Sequence, residues 1–316
     1  MKLAEYVVGG DVRIVSREWP QLPKGGLIIK TEACGLCSGE LMAWYLDRKA
    51  PHVLGHEVAG LVAQSDDARF PIGARVFTHH HAPCMKCASC KRGATVHCAQ
   101  WKRTQLDPGG MSEYYAVPAE CLTDTFRVDV LRAIDAALIE PLACVVKSIR
   151  RSGSSGKNTA IIGAGALGLM HGILMPGAHL IERDSHRQAW ARRQRLTVAE
   201  PEEDAYETVF VCPGTHEAIS LGFDILAPDG TLVLFAPMLP GEPIPFPQEL
   251  AYFKDAKIVH SYSCGPEDTR AAFDLLRQGS LRAEQVVSDF VMLDNLPDAY
   301  QKMKSGKILK AMVVFD

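Results

Sequence analysis

Four cysteines, Cys84, Cys87, Cys90 and Cys98, stand in the spacing C-x2-C-x2-C-x7-C. Thiolates two residues apart can turn around one ion, and a fourth from the following loop completes a tetrahedron. Four sulfur ligands leave no open coordination position, so the spacing predicts a structural zinc site; an iron–sulfur cluster is the rival chemistry for the same donors. His79, His80 and His81 lie just upstream on what reads as an extended segment, where successive side chains alternate faces. They cannot all reach one ion and are expected to serve the core or a substrate pocket.

A second donor set is spread along the chain. Cys37 stands in Gly35-Leu36-Cys37-Ser38-Gly39-Glu40, His56 in Gly55-His56-Glu57, and Glu140 before Pro141 and Leu142. Each alone is weak: a lone Cys or His is usually packing, and an acid before a proline at a helix start is a common cap. Together a thiolate, an imidazole and a carboxylate supply three zinc ligands and leave a fourth position for water or an alcohol. Cys34 also forms a Cys-x-x-Cys pair with Cys37, a pattern used in thiol redox chemistry. No βαβ pattern surrounds that pair.

A third constellation is Gly163-Ala164-Gly165-Ala166-Leu167-Gly168, which follows the apolar run Ala160-Ile161-Ile162. Glycines there allow a tight turn and close approach of a pyrophosphate to the N–H groups that open the next helix. Glu182 ends the next apolar run about 20 residues on, where a carboxylate can accept from ribose hydroxyls. That carboxylate would repel a 2′-phosphate and favours NAD(H); Arg183 beside it keeps NADP(H) open. Asp184 reads as a solvated loop acid.

These groups need elements to hold them. The first third carries short β-type runs (Tyr6-Val7-Val8, 26–30, 58–62, 75–77) broken by Gly and Pro, which predicts a β-rich body with long loops. A helical period runs over 136–151 and stops at the Ser/Gly stretch 152–156. From Thr159 a strand, a Gly-rich turn, a helix and a second strand (179–181) form a βαβ unit, followed by buried strands at 208–212 and 231–235 with a helix between them that closes at 224–226. A parallel sheet with helices on both faces fits this alternation. The tail returns to a helix (268–278), a strand (287–292), a helix (296–304) and a last strand (311–315).

Length and charge narrow the function classes. The 316 residues suit two domains, and a net charge of −3 gives no electrostatic reason to expect nucleic acid or anionic membrane as a partner. The longest apolar run, 159–175, is broken by four glycines and His171, so a buried strand entering a helix is expected rather than a membrane span. The first residues show no apolar signal-like stretch, and four of the ten cysteines form one metal-type cluster, so a cytoplasmic protein is expected.

The motif order Gly-x-Cys, Gly-His-Glu, Gly-x-Arg-Val (Gly73, Arg75, Val76), four cysteines, Gly-Gly-x-x-Glu-Tyr (109–114), Val117-Pro118, Glu-Pro-Leu and Gly-x-Gly-x-x-Gly resembles the zinc-containing medium-chain dehydrogenases over nearly the whole chain. Glu140-Pro141-Leu142 is similar to the sorbitol and threonine dehydrogenase branch. The resemblance implies an α/β fold: a GroES-like β-rich catalytic domain of residues 1–148 and 264–316, with the zinc lobe at 79–100, and a Rossmann domain at 149–263. The active site is then expected in the cleft between them.

Further implications follow from the resemblance. Cys37, His56 and Glu140 would bind a catalytic zinc, with Glu57 behind the metal and able to exchange with water, giving two zinc ions per chain. The activity implied is an oxidoreductase moving a hydride between a secondary alcohol (polyol, sugar derivative or amino alcohol) and NAD(H), in a homodimer or homotetramer. A zinc-stabilised NAD-binding sensor without turnover is the alternative, and a zinc-free enone reductase a further one. Three departures stand out. Gly39 replaces the usual proton-relaying Ser or Thr, leaving Ser38 just before it; Met42 replaces a frequent His; and 187–208 is too short for the usual further strand and helix.

Overall fold

A computed structural model describes residues 1–154, 156, 158–244 and 246–316. Within the Ser/Gly stretch expected to end the long helix, Ser155 lies outside the described residues. The chain divides into two compact units: Met1–Ala143 with Cys264–Asp316, and Cys144–Ser263.

In the discontinuous unit, β1 (Lys2–Val7) and β2 (Asp11–Ser16) form an antiparallel hairpin, and β4 (His52–Val53) extends that sheet after β3 (Leu27–Gly35) has begun the larger one. The larger sheet also takes β5 (Glu57–Ser65), β6 (Arg75–Thr78), β7 (Tyr114–Val117) and β8 (Thr125–Arg127). It is completed by two strands from the end of the chain. In the order β15-β16-β3-β5-β6-β8, β15 is Asp289–Val291 and β16 is Ala311–Val314, while β7 also pairs with β3. Leu27, Ile28 and Ile29 are all buried, which explains why β3 reads as an unbroken apolar run instead of an alternating one.

Helix Leu296–Lys304 buries Leu296, Ala299, Tyr300 and Met303, one face at helical spacing, in the same core as Leu27, Ile29, Val58 and Val313. Helix Pro266–Arg277 has Pro266 in its first turn, and the Asp268 side chain accepts from Gly265 N–H at 3.0 Å.

The second unit is a parallel sheet. Its strands are β9 (Thr159–Ile162), β10 (His179–Ile181), β11 (Thr197–Val198), β12 (Tyr206–Val211), β13 (Leu226–Leu234) and β14 (Lys257–His260), in the order β11-β10-β9-β12-β13-β14. That order reverses beside β9, the doubly wound arrangement that binds nucleotides at its switch point. Helices Ala166–Leu174, Ser185–Arg193 and His216–Ile225 connect the strands. β11 corrects one expectation: the further strand after 187 is present, because an edge strand needs only Thr197 and Val198 to pair with His179 and Leu180. Pro201–Asp204 is a loop and turn as expected, and β11 runs to β12 without another helix. Among the described residues, no helix is long and apolar enough to cross a membrane.

Candidate metal centres and dinucleotide cradle

The register of the larger sheet gathers donors at one end. Gly35 pairs with Glu57 across β3 and β5, so Cys37, two residues past one strand, emerges beside His56, one residue before the other. On the other side of β3, Gly35 pairs with Met312, and Leu36 N–H donates to the Ala311 carbonyl, which brings Lys310 to the same end. The Sγ of Cys37, a ring nitrogen of His56 and a carboxylate oxygen of Glu57 fall within 4.8 Å of one another.

Glu40 locks this arrangement. Its Oε1 accepts from Gly55 N–H at 2.7 Å and lies 3.3 Å from His56 Nδ1, while its Oε2 accepts from Cys37 N–H at 3.2 Å. One carboxylate therefore ties both donor loops together and fixes which imidazole nitrogen faces the cluster. Burial, the largest influence on Glu40, pushes its pKa up; His56 and the two N–H groups outweigh it, and the carboxyl sits below its ordinary value. Tyr300 O–H donates to the Glu40 carbonyl at 2.9 Å, anchoring this turn to the C-terminal helix.

Glu57 and Lys310 form a buried ion pair at 2.5 Å. The oxygen that faces the ammonium is Glu57 Oε2, so the buried carboxylate already has a cation beside it. Lys310 Nζ also donates to the Leu36 carbonyl at 3.0 Å. Burial is the largest influence on the Lys310 ammonium and lowers its pKa, but Glu57 and Cys37 raise it above its ordinary value. Burial pushes the Cys37 thiol up, partly offset by His56.

Glu140 lies in the first turn of helix Ile139–Ser152, and its carboxylate is grouped with His79 and Cys264, again within 4.8 Å. Its field still reaches Cys37 and Lys310. The three upstream histidines part company. His79 Nδ1 bonds Asp124 Oδ2 at 2.7 Å, His80 stands 4.8 Å from His56 between ring centroids, and His81 Nδ1 bonds the Thr104 carbonyl at 2.6 Å. Ser38 is exposed, Gly39 and Met42 are half-buried, and Cys34 is fully buried with its thiol pushed well up, chiefly by that burial. A thiol so held is a poor redox nucleophile.

The four lobe sulfurs also meet within 4.8 Å. Cys98 Sγ accepts from Cys84 N–H at 3.4 Å, and Cys90, Val96, Cys98 and Trp101 make a small core of their own. Cys98 precedes helix Ala99–Arg103. Burial raises its pKa, but N–H groups of Cys84, Trp101 and Gln100 outweigh that and lower it.

In the second unit, Gly163 follows β9 with φ +92°, and a Cβ on Gly168 would stand 1.8 Å from the Gly163 carbonyl oxygen. Only glycines permit this turn and this helix–strand approach. Gly165 caps the helix that opens with Ala166, Leu167 and Gly168, whose first N–H groups have no partner within the helix. Glu182 Oε2 accepts from Ala164 N–H at 2.7 Å and Oε1 from Asp184 N–H at 2.9 Å, so the carboxylate is held against the glycine loop. Asp184 is an exposed loop acid, and it also caps helix Ser185–Arg193, accepting from Arg187 N–H at 2.9 Å. Arg183 is exposed beside it.

Residues 23–126 match the model of the alcohol dehydrogenase GroES-like domain. D-altritol 5-dehydrogenase of Agrobacterium fabrum is 28% identical over 98% of both chains. L-galactonate-5-dehydrogenase of Escherichia coli is 24% identical over 95% of this chain and 94% of its own. Residues 23–126 thus carry an alcohol dehydrogenase GroES-like domain, and the chain as a whole is similar to these dehydrogenases. A Sinorhizobium meliloti protein solved in complex with NADP shares the fold, with a TM-score of 0.86, 22% identity and 99% of each chain covered.

Sequence reasoning missed Glu40, Lys310, Asp124 and Cys264. Glu40 had a signal, since it completes a single turn begun by Cys37. Lys310 had a fainter one, a lone cation opening an apolar strand. Asp124 and Cys264 had none, because only sheet register and helix docking bring them to His79.

Proposed function

We propose that the chain is a zinc-dependent oxidoreductase that moves a hydride between a secondary alcohol and NAD(H), with polyols and sugar derivatives the leading substrates. The relatives named above act on such compounds. The observation that carries the reading is the meeting of Cys37, His56 and Glu57, whose donor atoms lie within 4.8 Å of one another. A thiol, an imidazole and a carboxylate suit zinc with one position left open. Cys37 and His56 would supply two ligands and Glu57 the carboxylate, with Glu140 acting on them only through its charge. When bound, the ion supplies Lewis acidity that lowers the pKa of an alcohol.

The chain's own residues do the rest. Glu40 orients His56, Lys310 compensates Glu57, and Ser38 is the hydroxyl assigned to proton relay because Gly39 has none. The cradle from Gly163 to Gly168 would take the pyrophosphate, and Glu182 the ribose hydroxyls, with NAD(H) preferred over NADP(H). The lobe cysteines would hold the second, structural zinc ion. The discontinuous unit would carry the catalytic chemistry and the 144–263 unit the cofactor, in a cytoplasmic homodimer or homotetramer.

The test is an absorbance assay at the nicotinamide band on zinc-loaded protein. It covers polyols, sugar phosphates, β-hydroxy amino acids and simple secondary alcohols, with each cofactor and in both directions. Turnover of at least one polyol or sugar derivative is expected, falling on the order of 100-fold or more in Cys37→Ser as an activating ligand is lost. Absence of turnover in every combination, or equal turnover by the variant, overturns the reading.

A further inference from the structure

The discontinuous unit holds a second mixed donor cluster. His79, Glu140 and Cys264 come from three distant stretches of the chain, and all three are buried. Cys264 Sγ stands 3.7 Å from His79 Nε2 and 4.0 Å from Glu140 Oε1. A tetrahedral zinc with ordinary Zn–S, Zn–N and Zn–O bonds separates sulfur from its neighbouring ligand atoms by about 3.5 Å. The two sulfur separations thus lie within about half an ångström of the one such an ion imposes, and all three donor atoms lie within 4.8 Å of one another.

The surroundings are built to the same end. His79 Nδ1 is engaged by Asp124 Oδ2 at 2.7 Å, which turns Nε2 toward Cys264 and Glu140. Asp124 is itself fixed, its Oδ1 accepting from Thr269 Oγ1 at 2.6 Å. A carboxylate holding the far nitrogen of an imidazole is the arrangement that orients metal-binding histidines and raises their basicity. The fold enforces it: Thr78 pairs with Thr125 across β6 and β8, His79 N–H donates to the Asp124 carbonyl at 3.3 Å, and Thr269 stands on helix Pro266–Arg277.

We propose that His79, Glu140 and Cys264 form a further metal position, separate from the Cys37–His56–Glu57 group, that takes a thiophilic divalent cation such as zinc. Asp124 is its positioning residue. The proposal stands independently of whether Cys37 and His56 serve alcohol turnover.

The experiment measures bound metal per chain by mass spectrometry after saturation with Zn2+ and gel filtration. In parallel, the thiolate-to-metal charge-transfer band is recorded after Co2+ substitution. Full-length wild type, Cys264→Ser, Asp124→Asn, Cys37→Ser and the Cys37→Ser/Cys264→Ser double variant are compared. Cys264→Ser is expected to lose one ion and part of the Co2+ band. Asp124→Asn, which keeps all three donors, should bind that ion 10- to 100-fold more weakly. The double variant should lose two ions.

Wild-type metal content and band intensity in both Cys264→Ser and Asp124→Asn would mean that the cluster is only a buried hydrogen-bond network, which overturns the proposal. A double variant that loses no more than either single variant overturns the separateness of the site. If Cys37→Ser keeps every ion while Cys264→Ser loses one, the metal assignment under the proposed function fails and this one holds.

Discussion

The cysteine lobe and the Cys37 group both gather soft donors in one unit, yet they meet the cost of confining negative charge differently. The lobe draws its four sulfurs from one short segment, and they touch backbone N–H groups and one another around a core of Val96 and Trp101. The Cys37 group sits at the end of a large sheet, where Lys310 already pairs with buried Glu57 and Glu40 already holds His56. A site whose geometry the sheet provides, with an internal cation, can persist without an ion. A site made of loop and single helical turns depends on the ion for its shape.

The sharpest way to break this contrast is Lys310→Met. It strands Glu57 in the core, and metal-free protein should lose about 3–5 kcal/mol by denaturant unfolding. Zinc loading should recover much of that loss, because the ion then faces the carboxylate. A loss unchanged by zinc would mean that Glu57 is not within reach of a cation.

Cys98→Ser should act in the opposite sense. We expect about 3 kcal/mol of destabilisation in zinc-loaded protein, one ion fewer per chain, and unaltered NAD(H) affinity by titration calorimetry. Unchanged melting temperature with full zinc content would remove the structural assignment of the lobe.

The smallest effect is expected from Glu40→Gln, which keeps an acceptor for Gly55 N–H and removes the charge beside His56. Affinity of the Cys37 group for Zn2+, measured by chelator competition, should fall 10- to 100-fold with the melting temperature nearly constant. Equal affinity would show that the sheet alone aims His56.

The same contrast governs what could be read from the residues. The lobe is legible because its donors are close in sequence, where spacing is geometry. Cys37 and His56 carry no local signal strong enough alone, and only the order of motifs along the chain singles them out. The helices 296–304 and 268–278 were legible from apolar period, with bounds displaced by at most two residues. β11 was not, because an edge strand of Thr197 and Val198 has no period to detect. Asp124, Cys264 and Lys310 were hidden for another reason. Their roles exist only once β6 pairs with β8 and β16 pairs with β3, and pairing partners are not written beside the residues that need them.

β16 has a consequence for how the molecule is made. It lies between β15 and β3, so the sheet begun by residues 27–35 is completed only by residues 311–314. During synthesis from the N-terminus, Glu57 waits for its ammonium partner, and His79 for Cys264, until the inserted unit has left the ribosome. The cysteine lobe needs nothing beyond residue 101 for its small core, and can take up its ion far earlier. Nascent chains stalled before residue 310 should therefore protect the lobe from proteases while leaving β3 and β5 open to them.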